Sequence, residues 1–199
     1  MKFGSWSLIE RIAEGGGGQV WRVEHIDSGH RAVLKIASAQ HPHQGHALYR
    51  EYLSLTAVPC ATLPAVIEWL PPGLDGRAGL VMQERQGLPL SQALQDADED
   101  RVLVVIDQAL SALMALHAAG LVHGDLHPGN WLMNGEGQLS LLDLGLAQRP
   151  GQTPAWGAGL PYFAAPERLR GEGTAASDDL FSLAMTLWDA LGAGAPWPD

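Results

Sequence analysis

The chain has a single cysteine, Cys60, so it can form no intrachain disulfide. That usage fits a reducing compartment, and a cytoplasmic location is the expectation. Basic residues are scarce: 12 Lys and Arg stand against 22 Asp and Glu, a formal net charge of -10. Phosphate backbones and anionic membrane surfaces reward clustered cations, so neither nucleic acid nor membrane is expected as a partner. Apolar runs are short against the ~20 residues a membrane-crossing helix needs. The start, Met1-Lys2-Phe3-Gly4-Ser5, has no apolar core of a signal peptide. No His/Cys grouping has zinc spacing.

What the chain does have is apolar content, 46% of 199 residues, enough for one globular unit or two small lobes. Residues 1 to about 85 read as strands around one helix. Ile9–Ile12, Val20–His25, Arg31–Ile36, Ala65–Leu70 and Gly79–Gln83 are strand-like, and Gln44–Val58 is a helix with Leu48, Tyr52 and Leu55 on one face. The second half is helical: Leu90–Asp96, then Arg101–Ala119 with a stripe of Val105, Ala109, Ala112, Leu113 and Leu116 that stops at Gly120. Short strands and turns follow from Leu121 to Leu146. Asp178–Leu191 is apolar nearly all round and reads as a buried helix. A strand-rich part followed by a helical part is an α+β arrangement, with a first lobe at 1–85 and a second at 86–199.

Four pieces carry chemistry. The glycine-rich turn Glu14-Gly15-Gly16-Gly17-Gly18-Gln19-Val20 would let backbone N–H groups approach phosphate oxygens. Lys35, inside the apolar strand Ala32-Val33-Leu34-Lys35, needs an anion, and Glu51 in the following helix is the natural partner. In His123-Gly124-Asp125-Leu126-His127-Pro128-Gly129-Asn130, Asp125 and Asn130 can face one cavity, one accepting a hydroxyl proton and the other ligating a hard metal ion. Asp143 closes the apolar strand Leu141-Leu142 and precedes Leu144-Gly145, a second place for a metal ligand.

In this order and spacing the pieces resemble the signature set of eukaryotic-like Ser/Thr protein kinases as found in bacteria. Ala165-Pro166-Glu167 and Asp179-Leu180-Phe181-Ser182 extend the resemblance. It implies a bilobal kinase fold that binds ATP and Mg2+ between two lobes and phosphorylates a protein Ser or Thr. Gly15, Gly18 and Val20 would cover the phosphates, and Lys35, paired with Glu51, would hold them. Met82–Arg85, including Gln83, Glu84 and Arg85, would meet adenine. Asp125 would orient and deprotonate the acceptor hydroxyl, and Asn130 and Asp143 would bind Mg2+. Asp179 would brace the loop at His123, and His123 and Leu144 would stack in the apolar column linking the lobes.

The sequence also departs from the family pattern. Ala13 replaces the first loop glycine, Gly17 the aromatic at the loop's tip, and Leu144 the Phe beside the metal-binding Asp. Gly124 replaces the Arg before the catalytic Asp, which puts activation by phosphorylation in doubt and makes constitutive activity the expectation. His127 stands for the usual Lys, where it could supply a proton or positive charge to the γ-phosphate, and Leu160 for the usual Thr. The sequence stops after Pro196-Trp197-Pro198-Asp199, so the helical lobe reads as truncated, completed by a partner or by self-association over an apolar underside of the Asp178–Leu191 helix. Two other readings stay open: a small-molecule phosphotransferase of the aminoglycoside-kinase type, whose catalytic loop is similar, and a pseudokinase or regulatory scaffold. His41, His43 and His46 read as a solvated loop, and Thr153, Thr174 and Ser177 as candidate self-phosphorylation sites.

Overall fold

A computed structural model describes residues 1–15, 18–39, 42–153 and 159–192. The chain divides into two compact units, Met1–Ala57 with Pro64–Arg85, and Val58–Leu63 with Gln86–Asp199.

The first unit is an antiparallel sheet with one helix. Its elements are β1 (Lys2–Phe3), β2 (Trp6–Gly15), β3 (Gly18–His25), β4 (Arg31–Ile36), α1 (Pro42–Ala57), β5 (Val66–Leu70) and β6 (Gly79–Met82). The strands lie in the order β1-β2-β3-β4-β6-β5. Burial along β4 alternates: Ala32, Leu34 and Ile36 enter the core with Trp6, Val23 and Val81, and Lys35 faces the other way. A one-residue slip of β4 would bury Lys35 and expose Leu34, so the apolar pattern fixes where the ammonium points. The Trp6 indole N–H donates to Glu68 Oε2 at 2.8 Å, satisfying a polar atom that the core would otherwise strand. The strand expected over Ile9–Ile12 is one section of the longer β2, which carries two register shifts opposite β3. α1 packs on β5 and β6 with Leu48 and Leu55 inward. It begins at Pro42, so His43 and His46 lie on its opening turns rather than in a loop, while His41 is outside the described residues.

The second unit holds β7 (Leu88–Pro89), α2 (Leu90–Ala93), α3 (Glu99–Ala118), β8 (Trp131–Met133), β9 (Leu139–Leu141), α4 (Pro166–Leu169) and α5 (Ala176–Ala190), with β7-β8-β9 forming a small sheet. α3 starts where the Asp98 side chain accepts the Arg101 N–H at 2.9 Å, and the chain leaves it through Gly120 at φ +72°. The expected stripe of Val105, Ala109, Ala112, Leu113 and Leu116 is buried, and α3 packs on β9 and α5. By length and composition this one helix among the described residues could cross a membrane, with a mean hydropathy of 1.4, which corrects the view that every apolar run is short. The stripe faces inward, whereas Leu103, Val104, Leu110 and Met114 are exposed. Val58–Leu63 belongs with this unit: the Thr62 carbonyl accepts the Leu141 N–H at 2.9 Å.

α5 corrects the expectation of a helix buried all round. Asp178, Asp179, Ser182, Leu183, Met185 and Thr186 are buried, whereas Leu180, Trp188 and the flanking Leu191 are exposed. The apolar count was right and its distribution was not, because polar side chains occupy much of the inner face: Asp179 bonds backbone groups of the loop described next, Asp178 accepts the Ala175 N–H, and Thr186 donates to the Ser182 carbonyl.

Candidate active site

In the first unit, the side chain of Lys35 reaches Glu51, with Nζ 2.5 Å from Oε1. The Glu51 side chain is 3% exposed and that of Lys35 17%. A buried carboxylate next to an ammonium holds that ammonium at one place along β4, which a solvated lysine would not do. Val20 lies directly opposite Lys35 in the β3–β4 register. Gly18 has φ +112°, and a Cβ there would sit 2.2 Å from the Ile36 carbonyl oxygen, so only glycine brings β3 this close to β4. Gly15 pairs with Gly18 at the end of the hairpin, and Gly16 and Gly17 between them lie outside the described residues. At the end of β6, Gln83 donates its backbone N–H to Ala65 at 2.8 Å, and Glu84 accepts from Arg22 Nε at 2.7 Å. Hydrogen bonding to Glu84, reinforced by its charge, raises the Arg22 pKa. The Glu84 side chain is thus committed to β3. Arg85 ends this unit.

In the second unit, one carboxylate organises the catalytic-loop segment. Asp179, on the first turns of α5, has no exposed surface. Its Oδ2 accepts the His123 N–H at 2.8 Å and bonds His117 Nε2 at 2.8 Å, and its Oδ1 accepts the Gly124 N–H at 2.9 Å. Gly124 has φ +76°, which a residue with a side chain enters only under strain. Next along the chain, the Asp125 N–H donates to His123 Nδ1 at 3.2 Å. Complete burial lowers the His123 pKa; the charges of Asp179, Asp143 and Asp125 act in the opposite sense without prevailing. His123 is therefore a neutral acceptor.

From the other side, Asn130 Nδ2 donates to the Asp125 carbonyl at 2.8 Å, and the Asn130 carbonyl accepts the Leu142 N–H at 2.7 Å. Asp143, the next residue, has φ +61°, one of two non-glycine residues with positive φ among those described. Its Oδ1 accepts the Gly145 N–H at 3.0 Å. Backbone strain of this kind persists where the surroundings over-determine a functional geometry. Asn130 spends its amide nitrogen on Asp125 and keeps its amide oxygen as a further acceptor, while Asp143 is exposed. An amide oxygen and a carboxylate are hard donors of the kind Mg2+ takes, and among the described residues no group of three or more His, Cys, Asp or Glu could hold a metal ion.

His127 caps the 3₁₀ turn Pro128–Asn130: its Nδ1 accepts the Gly129 N–H at 3.2 Å, and its ring lies 6.1 Å from that of Phe163. Asp125 Oδ1 accepts the Leu160 N–H at 3.3 Å, and a Cβ on Gly159 would come within 2.9 Å of that oxygen. Two features escaped sequence reading. His117, in the last turn of α3, drew no reading, because its sequence neighbours give no sign of Asp179. Gly159 was given no role, although its φ of +84° and closeness to Asp125 make it specific. Of the candidate phosphorylation sites, Thr174 is 2% exposed and its hydroxyl donates to the Arg149 and Gln152 carbonyls, so it is closed to modification in this fold. Thr153 and Ser177 are exposed.

A β-rich unit with a lysine–glutamate pair and a helical unit with a braced Asp-to-Asn loop and a strained strand-end Asp define the protein-kinase class. The family model described as "Protein kinase domain" matches residues 6–199, and the chain belongs to that family. The chain is similar to serine/threonine-protein kinase PknA of Mycobacterium tuberculosis, 28% identical over 98% of this chain and 48% of the relative. It is 31% identical to the DNA damage-responsive serine/threonine-protein kinase RqkA of Deinococcus radiodurans, over 97% of this chain and 30% of that one. The chain spans about half the length, or less, of these relatives.

Proposed function

We propose that the chain transfers the γ-phosphoryl group of ATP to a serine or threonine hydroxyl of a protein, with Mg2+ as the cofactor. The observation that carries this reading is the bracing of Asp125. Asp179 fixes the two preceding backbone N–H groups, and Asn130 fixes the Asp125 carbonyl, so a half-buried carboxylate is presented by a loop that cannot rotate. Such a carboxylate positions an acceptor hydroxyl and takes its proton as the oxygen–phosphorus bond forms and the bond to ADP breaks. Lys35, steadied by Glu51, supplies positive charge for the nucleotide phosphates. Asn130 and Asp143 would hold Mg2+, which neutralises phosphate charge when bound. The Ser/Thr printed in the names of the relatives supports the acceptor class.

The test is mass spectrometry of the protein and of generic protein substrates after incubation with Mg-ATP. Wild type is expected to add phosphate to Ser or Thr, with Thr153 and Ser177 the exposed candidates on the chain itself. Asp125→Asn is expected to lose the transfer while still binding nucleotide. Phosphate on an aminoglycoside or sugar and on no protein would move the reading to a small-molecule kinase. Nucleotide binding without any transfer would move it to a regulatory scaffold.

A further inference from the structure

Arg168, on α4, is 8% exposed, and its Nη1 has no hydrogen-bond partner. A buried guanidinium is costly unless its charge is offset. Nη1 stands 2.4 Å from the place a Cβ on residue 124 would occupy, so the cation fills the space that glycine leaves in the catalytic loop. The same side chain lines, with Gly124, Asp125, Leu160, Phe163 and Ser182, a cavity of about 10 Å³, room for one water at most. No substrate group enters there. Asp179 bonds the backbone N–H of Gly124, and Asp125 follows Gly124 in the chain, so the buried cation lies against the loop segment that carries the Asp125 carboxylate.

We propose that Arg168 is a positioning residue for phosphoryl transfer. Its guanidinium packs against Gly124, holds the His123–Asp125 backbone in place, and sets a positive charge beside the loop that carries Asp125. α4 thereby supplies a cation that residue 124 does not. Gly124 and Arg168 form a matched pair, and a side chain at 124 would evict the guanidinium. This inference rests on the kinase reading for its consequence in turnover, but its structural part does not.

The experiment compares the full chain as wild type, Arg168→Lys, Arg168→Met, Arg168→Gln and Gly124→Ala. Steady-state transfer and amide hydrogen exchange are read on each variant that keeps the wild-type circular dichroism. Arg168→Met keeps the apolar stem and removes the charge. Its kcat is expected to fall at least 10-fold with KM for ATP within 2-fold, and Arg168→Lys is expected to be at least 5-fold faster than Arg168→Met. Gly124→Ala, which displaces the guanidinium and also strains φ +76°, is expected to show at least the same fall in kcat, and Arg168→Gln, which removes the charge and leaves Gly124 intact, provides the test should Arg168→Met not fold. Amides of Gly124 to Leu126 are expected to exchange at least 10-fold faster in Arg168→Met and in Gly124→Ala. Equal turnover in the Lys and Met variants, or wild-type kcat in Gly124→Ala, would overturn the proposal. If wild type transfers no phosphate, the kinase reading fails on its own, and exchange then decides: unchanged loop amides in both variants would overturn the positioning role as well.

Discussion

Replacing Asp179 by Asn tests the bracing of the catalytic loop most sharply. The carboxylate is fully buried and engages three groups, two backbone N–H donors at 2.8 and 2.9 Å and His117 Nε2 at 2.8 Å. An amide keeps one acceptor oxygen and turns an NH2 toward the other partners. At least one charge-assisted bond is lost, about 1.5–3 kcal/mol, and a buried N–H is left facing another donor, about 1–3 kcal/mol. Removing a buried charge recovers part of this. The net expectation is a loss of about 3 kcal/mol. For a chain of this length that lowers the melting temperature by roughly 10 °C. Urea unfolding followed by circular dichroism measures the loss directly, and kcat for protein phosphorylation should fall with it at 20 °C, where the variant is still folded. A loss below about 1 kcal/mol would refute the reasoning, since it would mean the three bonds are not made together.

Three other perturbations follow from the same geometry. Lys35→Met removes the partner of a buried carboxylate and the cation for the phosphates. Transfer should drop at least ~100-fold, and stability by about 3 kcal/mol, with the stability part recovered by adding Glu51→Gln; no recovery in urea unfolding would deny the pairing. Gly18→Ala should destabilise by about 2 kcal/mol or more, because a Cβ meets the Ile36 carbonyl at 2.2 Å and φ is +112°; a neutral outcome in thermal melts would show that the hairpin is not held as described. His123 has a folded pKa lowered by burial, so the unfolded chain binds its proton first. Its share of stability is present above the unfolded value of about 6.5 and lost as pH falls below it, at up to roughly 1.4 kcal/mol per pH unit; urea midpoints between pH 7.5 and 5.5 should fall more steeply for wild type than for His123→Phe, and parallel curves would contradict a neutral buried His123.

Much of this was legible in the sequence because local patterns and global packing agree. The alternation Ala32-Val33-Leu34-Lys35-Ile36 states both the strand and the face on which Lys35 emerges. The Val105-to-Leu116 stripe likewise states α3 and its buried side. Asp125, Asn130 and Asp143 stand out because turn chemistry confines them to a few positions. What the sequence did not reveal depends on pairings distant along the chain. His117 and Asp179 are 62 residues apart and meet only after α3 and α5 pack. Arg168 looks like any charged residue on a short helix, since burial of a guanidinium leaves no local mark. Gly124 read as a lost arginine; the space its missing side chain leaves, and the cation that fills it, exist only in three dimensions. α5 misled for the same reason: Asp179 bonds a loop distant in the chain, so the helix's composition did not show which face is covered.

The account turns on Asp125 as the base of a phosphoryl transfer. Intact-mass measurement after incubation with Mg-ATP and protein substrate, wild type beside Asp125→Asn, addresses it most directly. Phosphate on Ser or Thr with wild type, and at least ~100-fold less with a folded, nucleotide-binding Asp125→Asn, is the predicted result. Equal phosphate incorporation by the two proteins would contradict it.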